Sequence, residues 1–264
     1  MSGELLELVR GADGAGVVLV CVAAPVEGRA VLRGLGADGT PEVRWRAEPV
    51  APGVDLVMTG VGKANAAAGV ARALERGRHR AVLNVGVGGV LPGAGGGKNA
   101  RELGIGDIVI ATESVYADEG NETPDGFLDL AAMGFPPGPG EGMGVACDEA
   151  AAAALERALG SAASAGALRR GTIATVSICA GTDARAADVA ARTGAVVEAM
   201  EGAAIAMTLR RLDAEAGAGP TPFLEVRSIS NTTGDRAGQW WDLTKGMEGV
   251  ERAARAVRAG GARG

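Results

Sequence analysis

Glu201 and Asn231 are the residues whose type and setting first point to chemistry. Glu201 stands in Met200-Glu201-Gly202-Ala203-Ala204-Ile205-Ala206, a carboxylate at what reads as the start of a closely packed helix. A buried carboxylate loses hydration worth several kcal/mol unless a partner compensates it. It is also an acceptor-only group that can take two hydroxyls at once, and the vicinal 2′- and 3′-hydroxyls of a ribose offer that donor pair. A structural glutamate favoured by the dipole of a helix N-terminus fits the same residues. Asn231 follows a strand-like run, Phe223-Leu224-Glu225-Val226-Arg227-Ser228-Ile229, and opens a polar loop that continues to Arg236. A polar side chain just past the carboxyl end of a strand is where open α/β sheets meet their ligands.

The elements that must carry these side chains alternate along the chain. Residues 17–24 (VVLVCVAA) form a continuous apolar run, the mark of a strand buried on both faces. A helix or turn is predicted over 26–35 and a more exposed strand over 42–48. A strand over 54–59 leads through Gly60-Val61-Gly62-Lys63 into a helix ending near Arg76. Further strands are predicted over 81–87, 107–115, 171–178 and 223–229, and helices over 148–159, 185–193, 201–211 and 244–258. Residues 91–100 and 116–146 read as loops, and the ends, 1–14 and 259–264, as flexible. Helices between buried strands predict an α/β fold. The expectation is one three-layer α/β/α domain over 1–264 around a central mixed, mostly parallel sheet.

Composition narrows the function classes. The 264 residues are 47% hydrophobic but only 3% aromatic, so the core is built from Val, Ala, Leu and Ile. A net charge of -6 disfavours a binder of nucleic-acid phosphates. No apolar stretch approaches the roughly 20 residues that span a bilayer, and the first residues lack a signal-peptide pattern, so no membrane association and a cytoplasmic location are expected. Cys21, Cys147 and Cys179 are odd in number and widely spaced, which suggests neither disulfides nor zinc. Cys21 and Cys179 are expected to act as small buried hydrophobes. The single histidine, His79, lies in Arg76-Gly77-Arg78-His79-Arg80 and is expected in a solvated helix-to-strand turn. Histidine-based catalysis and a histidine-built zinc site are therefore not expected. The turns Gly60–Lys63 and Gly86-Val87-Gly88-Gly89 lack the spacing of a P-loop or dinucleotide fingerprint, so no cofactor or metal is expected.

The pair M-E-G-A-A at 200–204 and R-S-I-S-N at 227–231 resembles the nucleoside phosphorylase superfamily, specifically its nucleosidase branch. The resemblance implies that Met200 and Glu201 hold ribose and that residue 231 addresses a purine. It also implies that Gly86 and Gly88 form a wall under sugar and base, where backbone without a side chain permits close approach. Phosphorylases of the superfamily hold phosphate with arginines and a serine, whereas the turn here is Gly88-Gly89, without a hydroxyl. Glu27 falls where related nucleosidases carry the glutamate that activates water, although a first-turn helix glutamate fits as well. A hydrolase is expected; Arg29, two residues on, keeps a phosphorylase as the alternative.

S-I-S-N-x-x-G-D-R from 228, V-Y-A-D-E-G at 115–120, T-P-D-G-F at 123–127 and M-G-F-P at 133–136 are together similar to the futalosine hydrolase family, over about residues 17–250. That resemblance implies release of hypoxanthine from futalosine in menaquinone biosynthesis, by a homo-oligomer (dimer or tetramer). Adenosine-type nucleosidases usually carry Asp where this chain has Asn231, and an amide suits a 6-oxo purine; because it can also pair with adenine, an aminodeoxyfutalosine- or methylthioadenosine-type nucleosidase is a further alternative. Tyr116 and Phe135, with Asp118, are implied to line the base or the 5′ end, although a structural role fits Tyr116, the single tyrosine, equally well. Arg185 replaces the Phe of a G-D-A-F pattern that stacks on the purine. Three roles stay open for it: stacking, pairing with the carboxylate on futalosine's aromatic tail, or a solvated helix face. Trp240-Trp241 could cover the pocket, form a subunit contact or simply pack. A nucleoside-binding sensor is the non-enzymatic alternative, against which the triple of Glu27, Glu201 and Asn231 weighs.

Overall fold

The computed structural model describes residues 16–40, 42–94, 102–138, 142–160 and 166–258. The expected flexible ends, and most of the 91–100 loop, lie outside the described residues. The strands are β1 Val17–Val22, β2 Arg44–Ala51, β3 Val54–Met58, β4 His79–Val90, β5 Ile108–Tyr116, β6 Gly120–Thr123, β7 Gly126–Asp129, β8 Gly144–Ala146, β9 Leu168–Thr175, β10 Val197–Ala199 and β11 Phe223–Thr232. The helices are α1 Pro25–Leu35, α2 Lys63–Ala73, α3 Glu149–Gly160, α4 Asp183–Thr193, α5 Gly202–Glu215 and α6 Leu243–Arg258.

β1 shows why the apolar runs are strands. Val18, Val20 and Val22 join one core cluster with residues of α1, α3 and α6, while Leu19 and Cys21 join a second with residues of α2 and α5. The period-two alternation thus feeds two helical layers, one on each face. The main sheet runs β10-β9-β5-β11-β4-β1-β3-β2, with β8 on β5. Parallel pairs (β1–β3, β1–β4, β4–β11, β5–β9, β9–β10) outnumber antiparallel ones (β11–β5, β10–β4, β2–β3, β5–β8). The expected mixed, mostly parallel α/β fold is therefore what forms. Because β10 pairs with both β9 and the end of β4, the strands β4, β11, β5, β9 and β10 curl into a closed ring.

Some expectations are corrected. His79 is not in a solvated turn: it begins β4, is 4% exposed, and its Nε2 lies 3.1 Å from the buried Asp55 Oδ2. The preceding turn of basic residues hid a side chain that fills a core position. Cys179 is exposed rather than buried, in the loop after β9, whereas Cys21 is buried as expected. The 116–146 excursion contains the β6–β7 hairpin and β8. β10 has only three residues and was absent from the sequence reading. The ninth strand lies at 168–175, three residues earlier than 171–178 at each end.

α1 and α6 meet at Gly34, where a Cβ would lie 2.3 Å from the Glu251 carbonyl oxygen and 2.7 Å from Ala254 Cβ. Gly34→Ala should therefore destabilise the fold by about 1–2 kcal/mol despite alanine's better helix propensity, lowering Tm by roughly 2–8 °C. A thermal melt at or above the parent Tm would show that the two helices can part without cost.

Candidate active site

Three glutamates and one arginine converge where β4, β11 and the first turns of α1 and α5 meet. Glu27 occupies the third position of α1, whose entry is fixed by Pro25 in the first turn. Its Oε2 accepts the Ala23 and Ala24 amides, each at 3.0 Å, and its Oε1 accepts the Val87 amide of β4 at 3.0 Å. The helix-start reading of this residue is thus physically present, and the same carboxylate ties α1 to β4. Burial pushes the Glu27 carboxyl pKa up; Arg227 pulls it down, Glu201 pushes it up and the amides lower it, leaving it raised.

Glu201 stands at the N-cap of α5, just past β10. Its Oε1 accepts the Gly62 amide at 3.0 Å, and its Oε2 lies 3.2 Å from Arg227 Nη2. Glu198, three residues earlier, is also buried but accepts the Ala180 amide, at 3.0 and 3.1 Å. The V-E-A-M-E run thus sends its two carboxylates to different places.

Arg227 is a residue of this cluster that sequence reasoning did not single out. It is 1% exposed in the middle of β11. Its Nε donates to Glu225 Oε1 at 2.8 Å, and its Nη1 lies 3.4 Å from the Val87 carbonyl. Burial opposes its charge, but Glu225, Glu201 and Glu27 together outweigh this and raise its pKa. Glu225 also accepts from Asn84 Nδ2 at 3.3 Å and from the Ser114 hydroxyl. The signal was there: charged residues at 225 and 227 inside an apolar strand must find each other or another buried partner.

Glycines make the room. Arg227 lies opposite Gly86 in the β4–β11 ladder, and Asn231 opposite Gly89. A Cβ on Gly86 would sit 2.4 Å from Glu27 Oε1 and 2.6 Å from Arg227 Nη1. On Gly88 it would meet Val197 Cγ1 at 2.5 Å and the Glu198 carbonyl at 2.9 Å. The space that these two glycines leave is therefore occupied by protein groups. Between Ile229 and Asn231 the ladder slips by one residue, a bulge of the kind that re-aims a side chain. Asn231 is buried, its Oδ1 accepting from Ser230 Oγ and its Nδ2 donating to the Thr232 carbonyl, both at 2.9 Å. One amide hydrogen and one acceptor position remain.

Met200 and Tyr116 line one open cleft of about 550 Å³ with Gly62, Lys63 and Ser177. Arg185 is on no free helix face: its Nη2 lies 3.3 Å from Asp118 Oδ2. Phe135 is 68% exposed and lines none of the described clefts. Trp240 and Trp241 are exposed too, with Trp241 against the Arg236 guanidinium.

Residues 52–259 match the family model described as the phosphorylase superfamily. The chain belongs to the phosphorylase superfamily. It is 36% identical over 252 residues to a futalosine hydrolase of Streptomyces coelicolor, covering 89% of this chain and 92% of that protein. It is 34% identical over 243 residues to a futalosine hydrolase of Acidothermus cellulolyticus, covering 91% and 90%. A solved futalosine hydrolase of Helicobacter pylori superposes with a TM-score of 0.66 at 18% identity, covering 94% of this chain and 98% of that one, which supports the fold alone.

Breaking this superfamily member's buried network should be costly. Arg227→Met leaves Glu225 and Glu201 without their cation and should lower unfolding free energy by about 3–5 kcal/mol in denaturant titrations. Adding Glu225→Gln should recover part of that loss; a double variant no more stable than the single would mean the pair is not coupled.

Proposed function

We propose that this protein hydrolyses the N-ribosidic bond of futalosine and releases hypoxanthine, a reaction that the motif resemblance assigns to menaquinone biosynthesis. The observation that carries the reading is Glu27 and Glu201 buried around Arg227, with Asn231 four residues further along the same strand. Two relatives named futalosine hydrolase, aligned over about nine-tenths of the chain, support it.

In this mechanism Glu201 accepts one ribose hydroxyl at the Oε1 lone pair that Gly62 leaves free and the other at Oε2, where it replaces the 3.3 Å contact from the Met200 amide, and Met200 packs against the sugar. The carbon–nitrogen bond breaks through an oxocarbenium-like transition state, whose positive charge the buried carboxylates favour. Water adds its oxygen to the anomeric carbon and gives a proton to Glu27; the departing base takes its proton from solvent. A raised pKa makes Glu27 a better base than an ordinary glutamate. Asn231 donates its remaining amide hydrogen to the purine, at N7 or the 6-oxo oxygen. Gly86 and Gly88 admit Glu27, Arg227 and β10 on their Cβ side, and their bare backbone forms the wall under sugar and base. Phe135, Trp240 and Trp241 are exposed apolar surface of the kind that subunit contacts cover, which supports a homo-oligomer. A cytoplasmic location belongs to the same reading. Among the described residues no helix is long and apolar enough to cross a membrane.

Hypoxanthine should be released from futalosine in phosphate-free buffer containing chelator. The rate should fall on the acid side beginning above the ordinary glutamate value of 4.5, because Glu27 must be ionised to accept the proton and its pKa is raised. Chromatography showing a ribosyl 1-phosphate product when phosphate is added would replace the hydrolase with a phosphorylase.

Asn231→Asp should move preference toward 6-amino purines. A protonated carboxyl can donate to N7, and its carbonyl accepts from a 6-amino group, while the ionised form repels a 6-oxo oxygen. The ratio of kcat/KM for futalosine over aminodeoxyfutalosine should drop by about tenfold or more. An unchanged ratio would remove Asn231 from base recognition.

A further inference from the structure

Beside Met200 the cleft carries charge that ribose and base chemistry do not use. Lys63 follows Gly62, whose amide holds Glu201, and both residues line the cleft with Met200, the Lys63 side chain being 10% exposed. Its Nζ contacts Asp118 Oδ1, lies 3.1 Å from Glu119 Oε1, and stands 5.3 Å from the centre of the Tyr116 ring. Asp118 is saturated: its Oδ2 also takes the Ser177 amide at 2.8 Å, the Ile178 amide at 3.1 Å and Arg185 Nη2 at 3.3 Å. Two cations therefore lean on one carboxylate that is fixed by backbone and 8% exposed. Glu119, the other anion, is 40% exposed and holds Lys63 by a single contact. Val61, which lines the cleft, is 51% exposed, and Ile178, next to the lining residue Ser177, is 66% exposed.

We propose that Lys63, backed by Arg185 and set beside the Tyr116 ring, binds the carboxylate on the aromatic 5′ tail of the substrate and so selects tailed nucleosides over untailed ones. The proposal rests on the futalosine reading and adds to it the residue that recognises the tail. Arg185 faces Asp118 and is also attracted by Glu198, whereas Lys63 is shared between Asp118 and Glu119. An incoming carboxylate displaces the partly exposed Glu119 into water and takes its place on Lys63. An aryl ring fits between the Tyr116 face and Val61 while its carboxylate reaches the ammonium. Tyr116 remains a neutral phenol there, burial pushing its pKa up to about 12. Asp118 is the positioning residue that holds both cations at the mouth.

The test compares futalosine with inosine, which has the same base and sugar and no tail, in the parent, Lys63→Met, Lys63→Arg and Glu119→Gln. The parent should prefer futalosine. In Lys63→Met the ratio of kcat/KM for futalosine over inosine should fall by about tenfold or more, chiefly through KM, and Lys63→Arg should restore most of it. Glu119→Gln should keep or raise the ratio, since the displaced group no longer competes for Lys63. Raised salt should erode the parent's preference but not that of Lys63→Met. A Lys63→Met ratio equal to the parent's, with hypoxanthine still released from futalosine, overturns the tail site and leaves the activity standing. A parent that releases no base from futalosine overturns both. Equal losses on both substrates, with a lowered melting temperature, would make Lys63 a purely structural residue and likewise overturn the tail site.

Discussion

Three carboxylates buried inside a curled sheet need a cation, and in this fold Arg227 is that cation. Its side chain is 1% exposed, held to Glu225 at 2.8 Å and to Glu201 at 3.2 Å, with Glu27 raising its pKa further. A buried ion network of this kind is a poor source of net stability, because desolvation consumes most of its Coulomb energy. What it supplies is placement. The guanidinium fork fixes where Glu201 stands and sets how much negative charge surrounds Glu27. α1, α5, β4 and β11 each deliver one part of the network, so shifting any one of them leaves a charge stranded in the core.

The backbone of β4 is shaped to receive that network. The register pairs Arg227 with Gly86 and Asn231 with Gly89, so the bulky polar side chains of one strand face positions without a side chain on the next. The bulge at Ser230 then turns the end of β11, and Asn231 comes to rest with one donor and one acceptor uncommitted. Polar groups that are satisfied on most sides and open on one can read a ligand without prohibitive burial costs. The outer cluster of Lys63, Asp118 and Arg185 follows another logic. It is only partly buried, its anchor is fixed by backbone amides, and its second anion is free to leave.

The sequence by itself determined the layered α/β fold, since continuous apolar runs alternating with helical segments leave few other ways to bury both faces of a strand. It also singled out Glu201, a carboxylate in an apolar helix start, and Asn231, a polar residue at the carboxyl end of a strand, while Glu27 stood out only through the family resemblance. His79 and Cys179 were misjudged for one shared reason: a local run of neighbours says nothing about which side of the sheet the chain later covers. Only the tertiary structure decided that Glu198 and Glu201 part company, that Arg227 binds Glu225 and Glu201, and that Gly86 yields its space to Glu27. Those outcomes depend on strand register and on contacts between residues far apart in the chain, such as the 139 positions between Gly62 and Glu201, and no local pattern encodes such separations.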